Sequence, residues 1–91
     1  TMLKKALAMQ PDNGAYVDSL GWLYFKQGKL QEAIKELERA ASLLEDPVIY
    51  GHLGDAYFKL GDTAHAKLNW QKSLQLDAKQ EKIKEKLDAI H

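Results

Sequence analysis

Few side chains in this sequence could carry chemistry. The three histidines, His52, His65 and His91, are the most versatile, because imidazole titrates near neutral pH and binds metals. At the spacing that presents two ligands on one helix face, His52 stands with Asp55. Two groups fall short of the three or four ligands of a protein metal site, and they offer no relay for acid–base work. No metal is expected, and His52 reads as an ordinary solvated helix residue. Ser19, Ser42, Ser73 and Thr63 lack the flanking glycines of a nucleophile elbow, and neither a phosphate-cradling glycine loop nor a dinucleotide fingerprint occurs. The chain is therefore expected not to be an enzyme and to need no cofactor.

The aromatic residues are more informative. Asp18, Trp22 and Phe25 follow i, i+4, i+7 spacing, which places them on one stripe of a helix about a quarter turn from a second stripe made by Val17, Leu20 and Tyr24. Further along, the same stripe reads Gly51, Asp55 and Phe58, and Lys26 and Lys59 follow directly on the two phenylalanines. Two placements fit these rings: a surface offered to a partner, or packing between neighbouring helices. Trp70, in phase with Ala66 and Ser73, belongs instead to an inward face.

Helices must position these residues. Val17, Leu20, Gly21 and Tyr24 form one face at helical spacing, and Leu30, Ala33, Ile34, Leu37, Ala40, Ala41 and Leu44 form another. The spacing predicts helices near residues 2–9, 14–27, 30–44, 47–60, 63–76 and 78–90, with no strand. Gly28 and Gly61 stand where a left-handed residue would end the first helix of each pair. Asp46-Pro47 reads as an N-cap followed by the first helical position, and Asp77-x-x-Gln80 as a capping box. Gly21 with Ala33, and Gly54 with Ala66, supply the small side chains that close helix approach requires.

The pattern repeats. Leu20-Gly21-x-x-Tyr24 recurs thirty-three residues later as Leu53-Gly54-x-x-Tyr57. In the same register Val17 matches Tyr50, Phe25-Lys26 matches Phe58-Lys59, Gly28 matches Gly61, Ala33 matches Ala66 and Leu37 matches Trp70. This resembles the tetratricopeptide repeat (TPR) family, whose pattern W-x2-L-G-x2-Y, then A-x3-F, then P has a period of about 34 residues. Val17 and Tyr50 depart from the family's tryptophan, Ala78 replaces the closing proline, and the spacing is one residue short.

The resemblance implies an all-α fold, an α-solenoid of stacked antiparallel helix pairs within a single domain over residues 1–91. The expected parts are the end of a preceding repeat at 1–10, repeats at 14–46 and 47–77, and a capping helix at 78–91, whose polar outer face would close the array. Ala6 and Pro11 sit where that preceding repeat would put them, so the chain is expected to be a piece of a longer array.

The resemblance also makes Asp18, Trp22, Phe25, Lys26, Asp55, Phe58 and Lys59 the lining of a concave peptide-binding groove. The family's carboxylate clamp of Lys, Arg and Asn is missing, and Asp18 and Asp55 would repel a terminal carboxylate.

Composition narrows the partner. Thirteen basic residues balance thirteen acidic ones, so there is no excess positive field for nucleic acid or for an anionic membrane surface. No apolar run approaches the roughly 20 residues of a membrane-spanning helix. The absence of cysteine excludes disulfides and thiolate metal sites and leaves the compartment open. The expected function is a scaffold for a protein or peptide segment. The competing reading is a self-assembly module that stacks repeats between copies, with self-association through the N-terminal end.

Overall fold

The computed structural model describes residues 13–90. The expected helix at 2–9, and the sticky N-terminal end with it, lie outside the described residues. Within them the chain forms helices α1 (Gly14–Lys26), α2 (Leu30–Leu43), α3 (Pro47–Leu60), α4 (Thr63–Leu76) and α5 (Glu81–Ala89), with no strand. It divides after Glu45 into two compact units.

In the N-terminal unit, α1 starts where Asn13 accepts hydrogen bonds from the backbone N–H groups of Ala15 (3.0 Å) and Tyr16 (3.2 Å), two of the donors that a helix start leaves without partners. The helix ends before Gly28, whose φ of 77° lies in the left-handed region that favours glycine. A three-residue turn then returns the chain, and α2 packs against α1 as the second half of a helical hairpin. Val17, Leu20 and Gly21 are buried on α1, and Ala33, Leu37 and Ala40 on α2. The apolar stripe expected on α2 is wider than its core. Leu30, Ile34 and Ala41 are half-buried and Leu44 is exposed, because Leu44 is already extended, with φ −148° and ψ 119°.

The C-terminal unit repeats the hairpin and adds a third helix. Asp46 caps α3 by accepting from Val48 N–H at 2.8 Å, and Pro47 follows in the first turn. Gly61, with φ 95°, ends α3. Ile49, Leu53 and Ala56 of α3, Ala66, Trp70 and Ser73 of α4 and Ile83 of α5 are buried. Tyr57, Leu74, Leu87 and Ile90 pack around Ala66, Trp70 and Ile83.

The last helix begins at Glu81 and not near 78, because the expected capping box does not form. A capping-box Gln reaches back to accept from the N-cap N–H. Here the Gln80 side-chain amide donates instead to Ser73 Oγ (2.9 Å) and lies 3.1 Å from the carbonyls of Ser73 and Asp77. Asp77 Oδ1 accepts from Lys79 N–H at 3.1 Å, which makes residues 77–79 a local turn. Ser73, fully buried, donates to the Pro47 carbonyl at 2.7 Å, so α4 carries a satisfied polar tie to both neighbouring helices.

Candidate functional site

The sequence puts its candidate residues on the first helix of each unit. On α1, Trp22 and Phe25 are three residues apart and so are neighbours on the helix surface. Their rings stack with centroids 4.5 Å apart and planes 5° from parallel. Both rings and Asp18 are half-buried, and Lys26 is exposed in the last turn. The helix thus has two apolar sides: a sealed one made by Val17, Leu20 and Gly21, and a second one on which large aromatic rings keep part of their surface in water.

On α3 the same stripe is organised differently. Phe58 is 48% exposed and lies 5.5 Å from the buried Trp70 ring at a 40° tilt; Lys59 is exposed. Asp55 is not a simple solvating charge. Its Oδ1 accepts both the Trp70 indole N–H at 3.2 Å and the Lys86 ammonium at 2.7 Å. That ammonium also lies 5.7 Å from the Trp70 ring centroid, within range of a cation–π attraction. Gly51, which occupies the place of Asp18, is buried, and a side chain there would meet Ile83 Cδ1 at 3.5 Å. Helix α5 therefore covers the stripe at Gly51 and Asp55 and leaves Phe58 open.

Sequence reasoning missed Lys86 and the role of Asp55. A signal existed: a buried tryptophan needs an acceptor for its N–H, and Asp55 directly follows Gly54, over which the Trp70 ring lies. Nothing in the spacing of α5 singles out Lys86 among its lysines. A second missed contact involves histidine. Asp62 pairs with His65: its Oδ2 is 2.6 Å from His65 Nδ1 while its Oδ1 accepts from His65 N–H at 3.1 Å. The His65 backbone bond is the main cause of a lowered Asp62 pKa; desolvation opposes it, and the His65 ring adds to the lowering. Tyr57 stacks on His65 at 5.0 Å. This arrangement caps α4. Among the described residues no group of three or more His, Cys, Asp or Glu could hold a metal ion, and no helix is long and apolar enough to cross a membrane.

Helical hairpins of 13 or 14 residues per helix, joined by glycine turns and repeated every thirty-three residues, define a helix-pair repeat protein. The pattern described as TPR repeat matches residues 21–61 and that described as tetratricopeptide repeat matches residues 48–80; the chain belongs to the tetratricopeptide repeat family. It is similar to a TPR repeat-containing protein of Pseudomonas aeruginosa, 37% identical over 59% of this chain, and to human tetratricopeptide repeat protein 13, 28% identical over 86%. The matched stretch spans 9% of the length of each of these relatives.

Among solved structures, the first TPR of Spaghetti bound to an HSP90 peptide superposes with a TM-score of 0.92 at 22% identity, covering 97% of this chain and 71% of that one. Pseudomonas aeruginosa pilF does so with a TM-score of 0.91 at 25% identity, covering 97% and 41%. The fold is thus an all-α helical repeat of the TPR type.

Proposed function

We propose that this chain is a protein-interaction scaffold that holds a peptide or protein segment through the first-helix stripe of each unit. The contacts are Asp18, Trp22, Phe25 and Lys26 on α1 and Asp55, Phe58 and Lys59 on α3. The observation that carries this reading is the pair of stacked, half-buried rings of Trp22 and Phe25 on a helix whose core face is already filled by other residues. Large aromatic surface of this kind, ordered before binding, favours association because little side-chain entropy is lost. In the Spaghetti structure a TPR unit of similar fold has a peptide bound, which supports the same class of ligand here.

Asp55 already carries the Lys86 ammonium at 2.7 Å and Phe58 keeps much of its ring exposed, so the segment expected is apolar, and any Lys or Arg it brings meets Asp55 in competition with Lys86. Burying one aromatic side chain contributes about 1.5–3 kcal/mol before the cost of association. Affinity for these two units alone is therefore expected to be roughly micromolar or weaker. Chemical-shift mapping with an apolar, singly basic peptide tests the reading: Trp22→Ala and Phe58→Ala should each weaken binding with the helices intact. Perturbations confined to the exposed residues of α2 and α4, with the first-helix stripes silent, would move the binding surface and discard the proposal.

A further inference from the structure

The structure assigns Lys86 a further role: it is a built-in competitor that occupies, from within the chain, the seat that a partner's arginine would take on the C-terminal unit. This inference rests on the reading that the α3 stripe meets a partner, and it adds the chemistry of that contact. The seat has three parts: the Asp55 carboxylate, fixed by the Trp70 indole N–H at 3.2 Å; the Trp70 ring, 5.7 Å from the cation; and the ring of Phe58, one turn further along α3 and 48% exposed. Lys86 fills it incompletely. Its ammonium bonds to Oδ1, the oxygen that also serves Trp70, and its side chain remains 39% exposed while that of Asp55 is 22% exposed.

A guanidinium suits the seat better on two counts. Its planar fork can donate to both oxygens of one carboxylate, where an ammonium acts as a point charge. Its flat face can also stack on an exposed aromatic ring such as Phe58. A partner's guanidinium can therefore compete with the Lys86 ammonium for Asp55, whereas a neutral side chain of the same shape would leave Asp55 with Lys86. The competitor sets a threshold: a partner must bring arginine, with apolar neighbours for Phe58, before α5 yields the carboxylate.

The test uses the 91-residue chain and three capped peptides, Ac-Ala-Leu-X-Leu-Ala-NH2, with X arginine, lysine or its neutral arginine isostere citrulline. The readout is the Trp70 indole N–H resonance, with the amide shifts of residues 81–89 reporting whether α5 stays helical. The arginine peptide should move the indole resonance more than the lysine peptide and far more than the citrulline peptide. Lys86→Met, which keeps most of the aliphatic stem and removes the charge, should tighten the arginine peptide by about threefold, the scale of a partly exposed ion pair. It should leave the citrulline peptide unchanged.

Lys86→Arg keeps the helix and strengthens the internal contact, so it should weaken the arginine peptide by a similar factor. Equal or weaker binding of the arginine peptide to Lys86→Met, or no loss with Lys86→Arg, overturns the inference while leaving the proposed function standing if the peptides still perturb Trp22, Phe25 and Phe58. If no peptide perturbs those residues in any variant, the proposed function falls and this inference with it.

Discussion

The two units share one frame and place their indole on opposite helices of it. In the N-terminal unit the tryptophan is Trp22, on the first helix, half-buried and stacked on Phe25, and the matching position of the second helix holds the buried Leu37. In the C-terminal unit the first helix holds Asp55 where Trp22 stood, and the indole moves to Trp70 on the second helix, 2% exposed. The exchange is chemically coupled. A leucine in the core asks nothing of its neighbours, whereas a buried indole needs an acceptor, and Asp55 provides it at 3.2 Å. One unit has its large aromatic ring half-buried on the first helix, stacked on Phe25; the other has it where it holds two helices together and draws in a third through Lys86.

The largest effect expected from this difference is on stability. Trp70→Ala should cost about 3–5 kcal/mol, since it empties a core site and leaves Asp55 without one of its two donors. Thermal or urea unfolding followed by circular dichroism measures it.

Next come the glycines. A side chain at Gly54 would run into the rigid indole of Trp70, while one at Gly21 would meet Leu37 Cγ at 2.7 Å and Cδ2 at 2.9 Å. A leucine can rotate and an indole ring cannot bend, so Gly54→Ala should cost about 2–3 kcal/mol. Gly21→Ala should cost about 1 kcal/mol, because the helix propensity gained over glycine offsets part of the crowding. Equal losses in the two variants would show that the place of the indole does not set the packing tolerance of its unit.

Comparable to the Gly21 change is Trp22→Ala, expected to cost about 1 kcal/mol, the worth of an aromatic pair with partial burial. If it matches Trp70→Ala, Trp22 is a core residue and not a surface held open for a partner.

Much of this frame is legible in the residue pattern alone. Helical spacing and the repeated Leu-Gly-x-x-Tyr mark the helices to within a few residues, since regular elements follow local pattern. Gly28, Gly61 and Asp46-Pro47 carry their own backbone chemistry and mark the turns. What the pattern does not contain is side-chain competition at one atom or between near neighbours. Gln80 suits a capping box until Ser73 offers it a buried hydroxyl, and Asp55 suits a solvated groove acid until Trp70 and Lys86 both reach it. These contacts join residues from 7 to 31 positions apart, so they follow from packing and not from spacing. The candidate site is legible as a stripe, but not as two stripes with different occupants.

The smallest expected effect sits at the start of the second helix in each unit. Asp62 caps α4 with a carboxylate that accepts from His65 N–H at 3.1 Å, while the matching residue before α2, Lys29, makes no side-chain cap bond. The folded-state pKa of Asp62 is lowered, chiefly by that backbone bond. A lowered carboxylate pKa means that the ionised form is favoured in the folded chain. Its stabilisation is therefore fully present above the ordinary carboxylate range and is lost as pH falls through the lowered folded-state value. Acid should loosen the first turn of α4, read from the carbonyl and Cα shifts of Thr63–Ala66 as pH is lowered, through protonation of this one cap. Asp62→Asn separates the titration from the cap itself, because asparagine caps helices about as well as aspartate and does not titrate. In that variant the α4 start should stay helical and lose this acid step, and α2, with no carboxylate cap to lose, should respond identically in both proteins. An α4 transition of unchanged midpoint in Asp62→Asn would assign the acid sensitivity to other carboxylates and remove this difference between the units.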